Sequence, residues 1–130
     1  MRLNADQEAA FFQAIDEKYP NIPDLDAIDT NDLVDAEPVG GIAEFHNYMI
    51  MTMEYPGECV ENNIQGKVFI SFLVQKDGTI THAVVDKSAH PLLDAEALRI
   101  IRYAAKWNPA TSGGKPVVTR VKVPVVFSMM

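Results

Sequence analysis

Apolar residues recur at three- and four-residue intervals in three stretches of the chain and alternate with a two-residue period in three others, predicting helices and strands respectively. The first helical stretch puts Phe11, Phe12, Ile15 and Tyr19 on one side, behind Asn4 and Gln7 spaced as a capping box. Tyr19-Pro20 and Ile22-Pro23 end it. After Gly40-Gly41 a second runs from Ile42 to about Met53, with Ile42, Phe45, Met49 and Met53 as a core stripe. Tyr55-Pro56 stops this helix, and Pro56 opens a short helical turn through Glu58, Cys59 and Val60 that Gly66 closes. The third stretch spans Asp94 to Lys106, with Asp94 as N-cap and Glu96 in the first turn, where the helix dipole favours an anion. Leu93, Ala97, Ile100, Ile101 and Ala104 are expected to face a sheet, and Arg99, Arg102 and Lys106 water. Pro109 ends this helix at Trp107-Asn108, and Trp107 is expected in the core.

The alternating stretches are Lys67 to Gln75, Thr79 to Asp86 and Pro116 to Phe127. Lys76-Asp77-Gly78 joins the first two as a hairpin. Val68, Ile70, Phe72 and Val74 share one face of the first strand, with Phe69 and Leu73 on the other. On the second, Ile80, His82 and Val84 alternate with Thr81, Ala83 and Val85. Gly113-Gly114 makes a turn into the last strand, where Val117, Thr119, Val121, Val123, Val125 and Phe127 oppose Val118, Arg120, Lys122, Pro124 and Val126. Pro124 lacks a ladder donor, which places this strand at a sheet edge or breaks it with a bulge. The predicted fold class is therefore α+β: a small antiparallel sheet, made of the hairpin plus a long C-terminal edge strand, packed against one main helix, with an additional N-terminal helix. An edge strand leaves backbone groups open to a partner.

Composition narrows the picture. The 130 residues are 48% apolar, which suits one globular domain with a real core. No stretch is long and apolar enough to span a bilayer, and the first twenty residues have no secretion-signal pattern. The net charge of −7 is unevenly spread: residues 1–38 carry two basic and ten acidic residues, whereas residues 39–130 carry nine and eight. The acidic stretch from Asn21 to Pro38 reads as a solvated connector or a segment ordered by a partner, and a domain boundary is placed near Pro38, giving 1–37 and 38–130. Asp24, Asp26, Asp29 and Asp32 lack the glycine and bidentate glutamate of a calcium loop. No basic, aromatic-interleaved surface points to nucleic acid.

Catalytic chemistry is thin. Cys59, the single cysteine, and His46, His82 and His90 have neither the spacing of a metal site nor that of a nucleophile and base. Glu54, Glu58 and Glu61 read as a solvated turn, and neither glycine pair belongs to a phosphate loop. No enzyme, no metal and no cofactor are expected.

Taken in order, Pro38-Val39-Gly40-Gly41, Tyr55-Pro56, Gly66-Lys67-Val68-Phe69-Ile70-Ser71-Phe72, Asp77-Gly78-Thr79-Ile80, Leu93-Asp94-Ala95-Glu96-Ala97-Leu98, Trp107-Asn108-Pro109, Gly114-Lys115-Pro116-Val117 and Val123-Pro124-Val125-Val126-Phe127 resemble the C-terminal domain of TonB-type energy transducers. The likeness is to the form common in Bacteroidetes-like bacteria and covers roughly residues 38–130. The resemblance implies a periplasmic domain that grips the TonB box of an outer-membrane transporter and passes on force derived from the proton gradient. In the family the peptide pairs with the last strand, which corresponds to Lys115 to Phe127. The resemblance thus implies a peptide site at Val117, Val118, Thr119, Arg120, Val121, Lys122 and Val123, joined by Thr52, Met53 and Glu54 just ahead of Tyr55-Pro56.

Residues 1–37 fit neither the anchor nor the proline-rich arm of a transducer. Either the chain is a piece of a longer protein, in which case tethering to the inner membrane and contact with its proton-channel proteins are expected through an N-terminal anchor, or it is a free-standing relative that cannot transmit force by itself. The acidic N-terminal segment is left three roles: docking on the domain, capping the edge strand, or belonging to an adjoining module. The alternative function is an interaction or assembly module of the same fold, including a strand-exchanged homodimer.

Overall fold

A computed structural model describes residues 11–22 and 32–129. Along the chain run α1 (Gln13–Lys18), β1 (Leu33–Val34), β2 (Glu37–Pro38), α2 (Ile42–Thr52), α3 (Gly57–Glu61), β3 (Gly66–Val74), β4 (Ile80–Lys87), α4 (Pro91–Arg102), β5 (Trp107–Asn108), β6 (Ala110–Ser112), β7 (Lys115–Val117) and β8 (Thr119–Phe127). The Asn4/Gln7 capping box and Asp24, Asp26 and Asp29 lie outside the described residues.

The hairpin organises the fold. Its turn is fixed by Gly78 N–H donating to the Gln75 carbonyl at 2.8 Å and by Thr79 N–H donating to Asp77 Oδ1 at 2.9 Å. The Thr79 hydroxyl, together with the Thr79 N–H, holds the Asp77 carboxyl below its ordinary value. Gly78 has φ +87°, and a Cβ there would stand 2.0 Å from the Trp107 carbonyl oxygen, so only glycine fits. From this turn β3 runs as the centre of an antiparallel sheet ordered β4-β3-β8.

The even residues of β3 meet the main core. Val68, Ile70, Phe72 and Val74 pack with Leu93, Ala97, Ile100 and Ile101 of α4, with Phe45 and Met49 of α2, and with Val123, Val125 and Phe127 of β8. Trp107 fills the end of this core, edge-on to Phe45 at 5.1 Å and to Phe72 at 5.4 Å. The other sheet face carries a second cluster, in which Phe12 and Ile15 of the N-terminal segment pack on Leu73, Val84 and Val118. The faces of β3 and β8 are thus those expected from their alternation.

Several local expectations change. The regular alternation of β4 fails because two register shifts relative to β3 each insert an extra residue into β4. His82 sits at one of them with φ +57°, so Ala83 and Val85 join the main core while Val84 turns to the other face. The β8 ladder, by contrast, runs without a shift from Gly66↔Phe127 to Val74↔Thr119, with Pro124 opposite Phe69. Of the two meanings offered for Pro124, the edge is correct and the bulge is not.

Helix α4 starts three residues before its expected cap. Pro91 is preset for a first helical position, and the His90 ring accepts the Leu92 N–H at 3.1 Å. Asp94 instead accepts from Ala89 N–H at 3.1 Å and from the Ser88 hydroxyl. The helix stops at Arg102, leaving Lys106 outside it. Ile42 is 65% exposed, because α2 enters the core only from Phe45 onward.

The segment read as a connector pairs in its described part: Leu33 and Val34 lie opposite Ser112 and Thr111, and Glu37 and Pro38 opposite Asn108 and Trp107. Lys115 to Phe127 is divided at Val118, since β7 turns back on β6 through Gly113-Gly114 before β8 begins.

Candidate functional site

The straightness of β8 sets the geometry of the candidate site. Among the described residues its one strand neighbour is β3, so its outer edge carries no ladder. Val123 and Val125, and half-buried Val121, turn toward the main core, while Pro124 and Val126 on the opposite face are exposed. Arg120 and Lys122 share that opposite face nearer the start of the strand. Lys122 Nζ pairs with Asp86 of β4 at 2.5 Å across β3 and lies 3.7 Å from the Phe11 ring centroid. Arg120 pairs with Asp16 of α1 at 2.6 Å and stands 4.8 Å over the Phe12 ring. The N-terminal segment therefore docks on the face of the sheet and contacts the site strand through its cations.

The expected site residues fall into two groups. Val117 ends β7, Val118 is buried between β7 and β8, and Thr119, Arg120, Val121, Lys122 and Val123 form the first half of β8. Thr52 is the last residue of α2, and Met53 and Glu54 follow it, with Met53 in extended geometry at φ −63° and ψ 129°. Tyr55 then sets its ring edge-on to Phe127 at 5.7 Å and donates its hydroxyl to the Ile64 carbonyl, an environment in which burial raises the phenol pKa. Residues 52–54 are thus tied to the far end of β8 from Val117 to Val123. The two groups lie toward opposite ends of one strand. Pro124 and Val126, between them, are exposed residues that the site assignment omitted, although the period-two pattern already set them on the outward face.

A polar pair behind the 52–54 segment was also missed. Arg99 was expected to face water; it donates instead to the Thr52 carbonyl at 2.9 Å and to both carboxylate oxygens of Glu96 at 2.6 and 2.8 Å. Glu96 is 8% exposed and accepts the Glu54 N–H at 2.6 Å. Burial alone would raise its carboxyl pKa, but the Arg99 hydrogen bonds, the Glu54 N–H and the guanidinium charge together hold it below its ordinary value.

Cys59 is fully buried, with its sulfur 3.9 Å from His90 Nδ1, the atom that caps α4. Among the described residues no three of His, Cys, Asp and Glu converge as a metal site, and no helix is long and apolar enough to cross a membrane.

The Gram-negative bacterial TonB protein C-terminal family model matches residues 51–129, from the end of α2 through β8. The chain belongs to this family. The TonB match takes in both groups of expected site residues and leaves α1 and the short strands β1 and β2 outside it. Two solution structures of the Helicobacter pylori TonB C-terminal domain are similar to the chain. The shorter is 26% identical, with a TM-score of 0.54, covering 67% of this chain and 91% of that one. The longer is 17% identical, with a TM-score of 0.53 over 99% of this chain and 98% of that one, and speaks for the fold alone. No curated protein matches the chain. TonB C-terminal domains are a periplasmic, non-catalytic transducer family, and membership implies a TonB-like role in energy transduction.

Proposed function

We propose that β8 takes up the N-terminal TonB box of an outer-membrane transporter by strand addition, and that the domain passes on force derived from the proton gradient. The observation that carries this reading is the nine-residue unbroken ladder to β3, which leaves a straight edge on the other side, short of one donor at Pro124. Antiparallel alternation adds detail. A ladder whole across Pro124 has that residue's missing donor on the outer side, so the N–H groups of Lys122 and Val126 point outward and those of Val121, Val123 and Val125 point to β3. The peptide meets Val117 to Val123 first and Thr52, Met53 and Glu54 at its far end.

In this reading residues 38–130 are the functional unit and residues 1–37 an appendage to it. The domain works in the periplasm, tethered to the inner membrane and reaching proton-channel proteins through an anchor. The open edge equally accepts β8 of a second copy, which is the alternative of a homodimer or assembly module.

The test is a panel of peptides from the N-termini of outer-membrane transporters, titrated by fluorescence anisotropy, with light scattering on the same samples. A monomer that binds at least one peptide supports the transporter reading. A stable dimer indifferent to every peptide supports the second copy.

A further inference from the structure

We propose that Glu96 and Arg99 are positioning residues of the peptide site: from α4 they clamp the backbone of Thr52 and Glu54 and keep residues 52–54 as a preformed wall at the Phe127 end of β8. This rests on the strand-addition reading above.

In an extended chain the carbonyl of one residue and the N–H two residues later point to the same side, where a neighbouring strand would bond them. Here no strand among the described residues pairs on that side. The guanidinium of Arg99 supplies the donor to Thr52 O at 2.9 Å, and the carboxylate of Glu96 supplies the acceptor for Glu54 N–H at 2.6 Å. The two side chains are one turn apart on α4 and joined by a two-pronged ion pair, so donor and acceptor are set at a fixed separation. Met53 N–H is taken by Met49 O at 3.0 Å, ending α2 as the clamp begins.

Simple stabilisation does not require this pair. The junction of α2 and α4 is already bonded by the Tyr48 hydroxyl to Ile100 O at 2.6 Å, and Tyr55 is fixed independently on Ile64 and Phe127. What the clamp adds is the conformation of the three residues between those anchors. A buried carboxylate at a helix position facing the core is costly unless it is fully paired, and here the pairing serves the backbone of that segment. A wall ordered before binding spares the peptide the entropy of ordering it.

The tightest transporter peptide of the panel is titrated into the unaltered chain and into Arg99→Ala, Arg99→Lys, Glu96→Ala and Glu96→Gln, following backbone amide shifts and thermal midpoints together. Arg99→Ala and Glu96→Ala are expected to bind about tenfold more weakly while the β8 amides still respond. Glu96→Gln keeps an oxygen for Glu54 N–H and should restore binding to within about threefold. Arg99→Lys serves if the alanine variants do not fold, and should weaken binding because an ammonium cannot reproduce the two-pronged bond. Unchanged affinity in a folded variant whose residues 52–54 have shifted would overturn the positioning role alone. Absence of any β8 response in the unaltered chain would overturn the strand-addition reading and this proposal with it, and is told apart because it appears before any substitution.

Discussion

β4 and β8 flank the same central strand, yet one edge is bulged and the other is straight. β4 carries two extra residues and a left-handed His82, whose ring is held edge-on to Tyr19 at 4.5 Å. A bulged and twisted edge offers no regular row of donors and acceptors. β8 carries none of these irregularities, and Pro124 is its one interruption. The N-terminal segment covers the sheet face with Phe12 and Ile15, and among the described residues the β8 edge carries no strand. The difference teaches that backbone regularity separates the two edges, since both are rich in β-branched residues.

Breaking the straight edge should have the largest effect. Val121 lies opposite Phe72 with its N–H directed inward, so Val121→Pro is expected to cost about 3 kcal/mol or more in urea unfolding, by analogy with other interior prolines, and to abolish peptide binding. On the covered face, Ile15→Ala should cost about 2 to 3 kcal/mol through the cavity it leaves beside Leu73 and Val84, with peptide affinity unchanged. Matching losses of affinity for Ile15→Ala and Val121→Pro would break the distinction between the two regions.

Acid probes the wall beside β8. The Glu96 carboxyl is depressed in the folded chain, so its contribution is fully present above the ordinary carboxylate range and is lost as pH falls through the depressed folded value. Thermal midpoints of the unaltered chain should therefore fall on acidification more steeply than those of Glu96→Gln. Equal slopes would remove Glu96 from the account.

The smallest effect is expected from Arg120→Ala. Its pair with Asp16 is partly exposed, so the stability loss should stay below about 1 kcal/mol. The panel should then show a weaker preference for acidic peptide positions. A loss shared equally by neutral and acidic peptides would assign Arg120 to the fold instead.

The hairpin, the two-faced β3 and the edge placement of the last strand were legible because each follows from period-two alternation or from one residue's chemistry, as with Gly78 and Pro124. The β4 bulges were not, since nothing local marks His82 for φ +57° and the shift arises against β3. The pairing of Leu33-Val34 and Glu37-Pro38 was equally hidden, because they lie in an acidic stretch without periodicity and their partners are more than sixty residues away. Glu96 and Arg99 looked like charges that complement a helix dipole. Only the return of residues 52–54 across α4 turns them into a clamp.

The most direct measurement is residue-resolved amide mapping of the unaltered chain with the tightest transporter peptide, reading both sheet edges in one spectrum. The account predicts shifts and slowed exchange along Thr119 to Phe127 and at Thr52 to Glu54, with Ile80 to Lys87 unmoved. Shifts concentrated on β4, or a peptide bound with β8 silent, would contradict it.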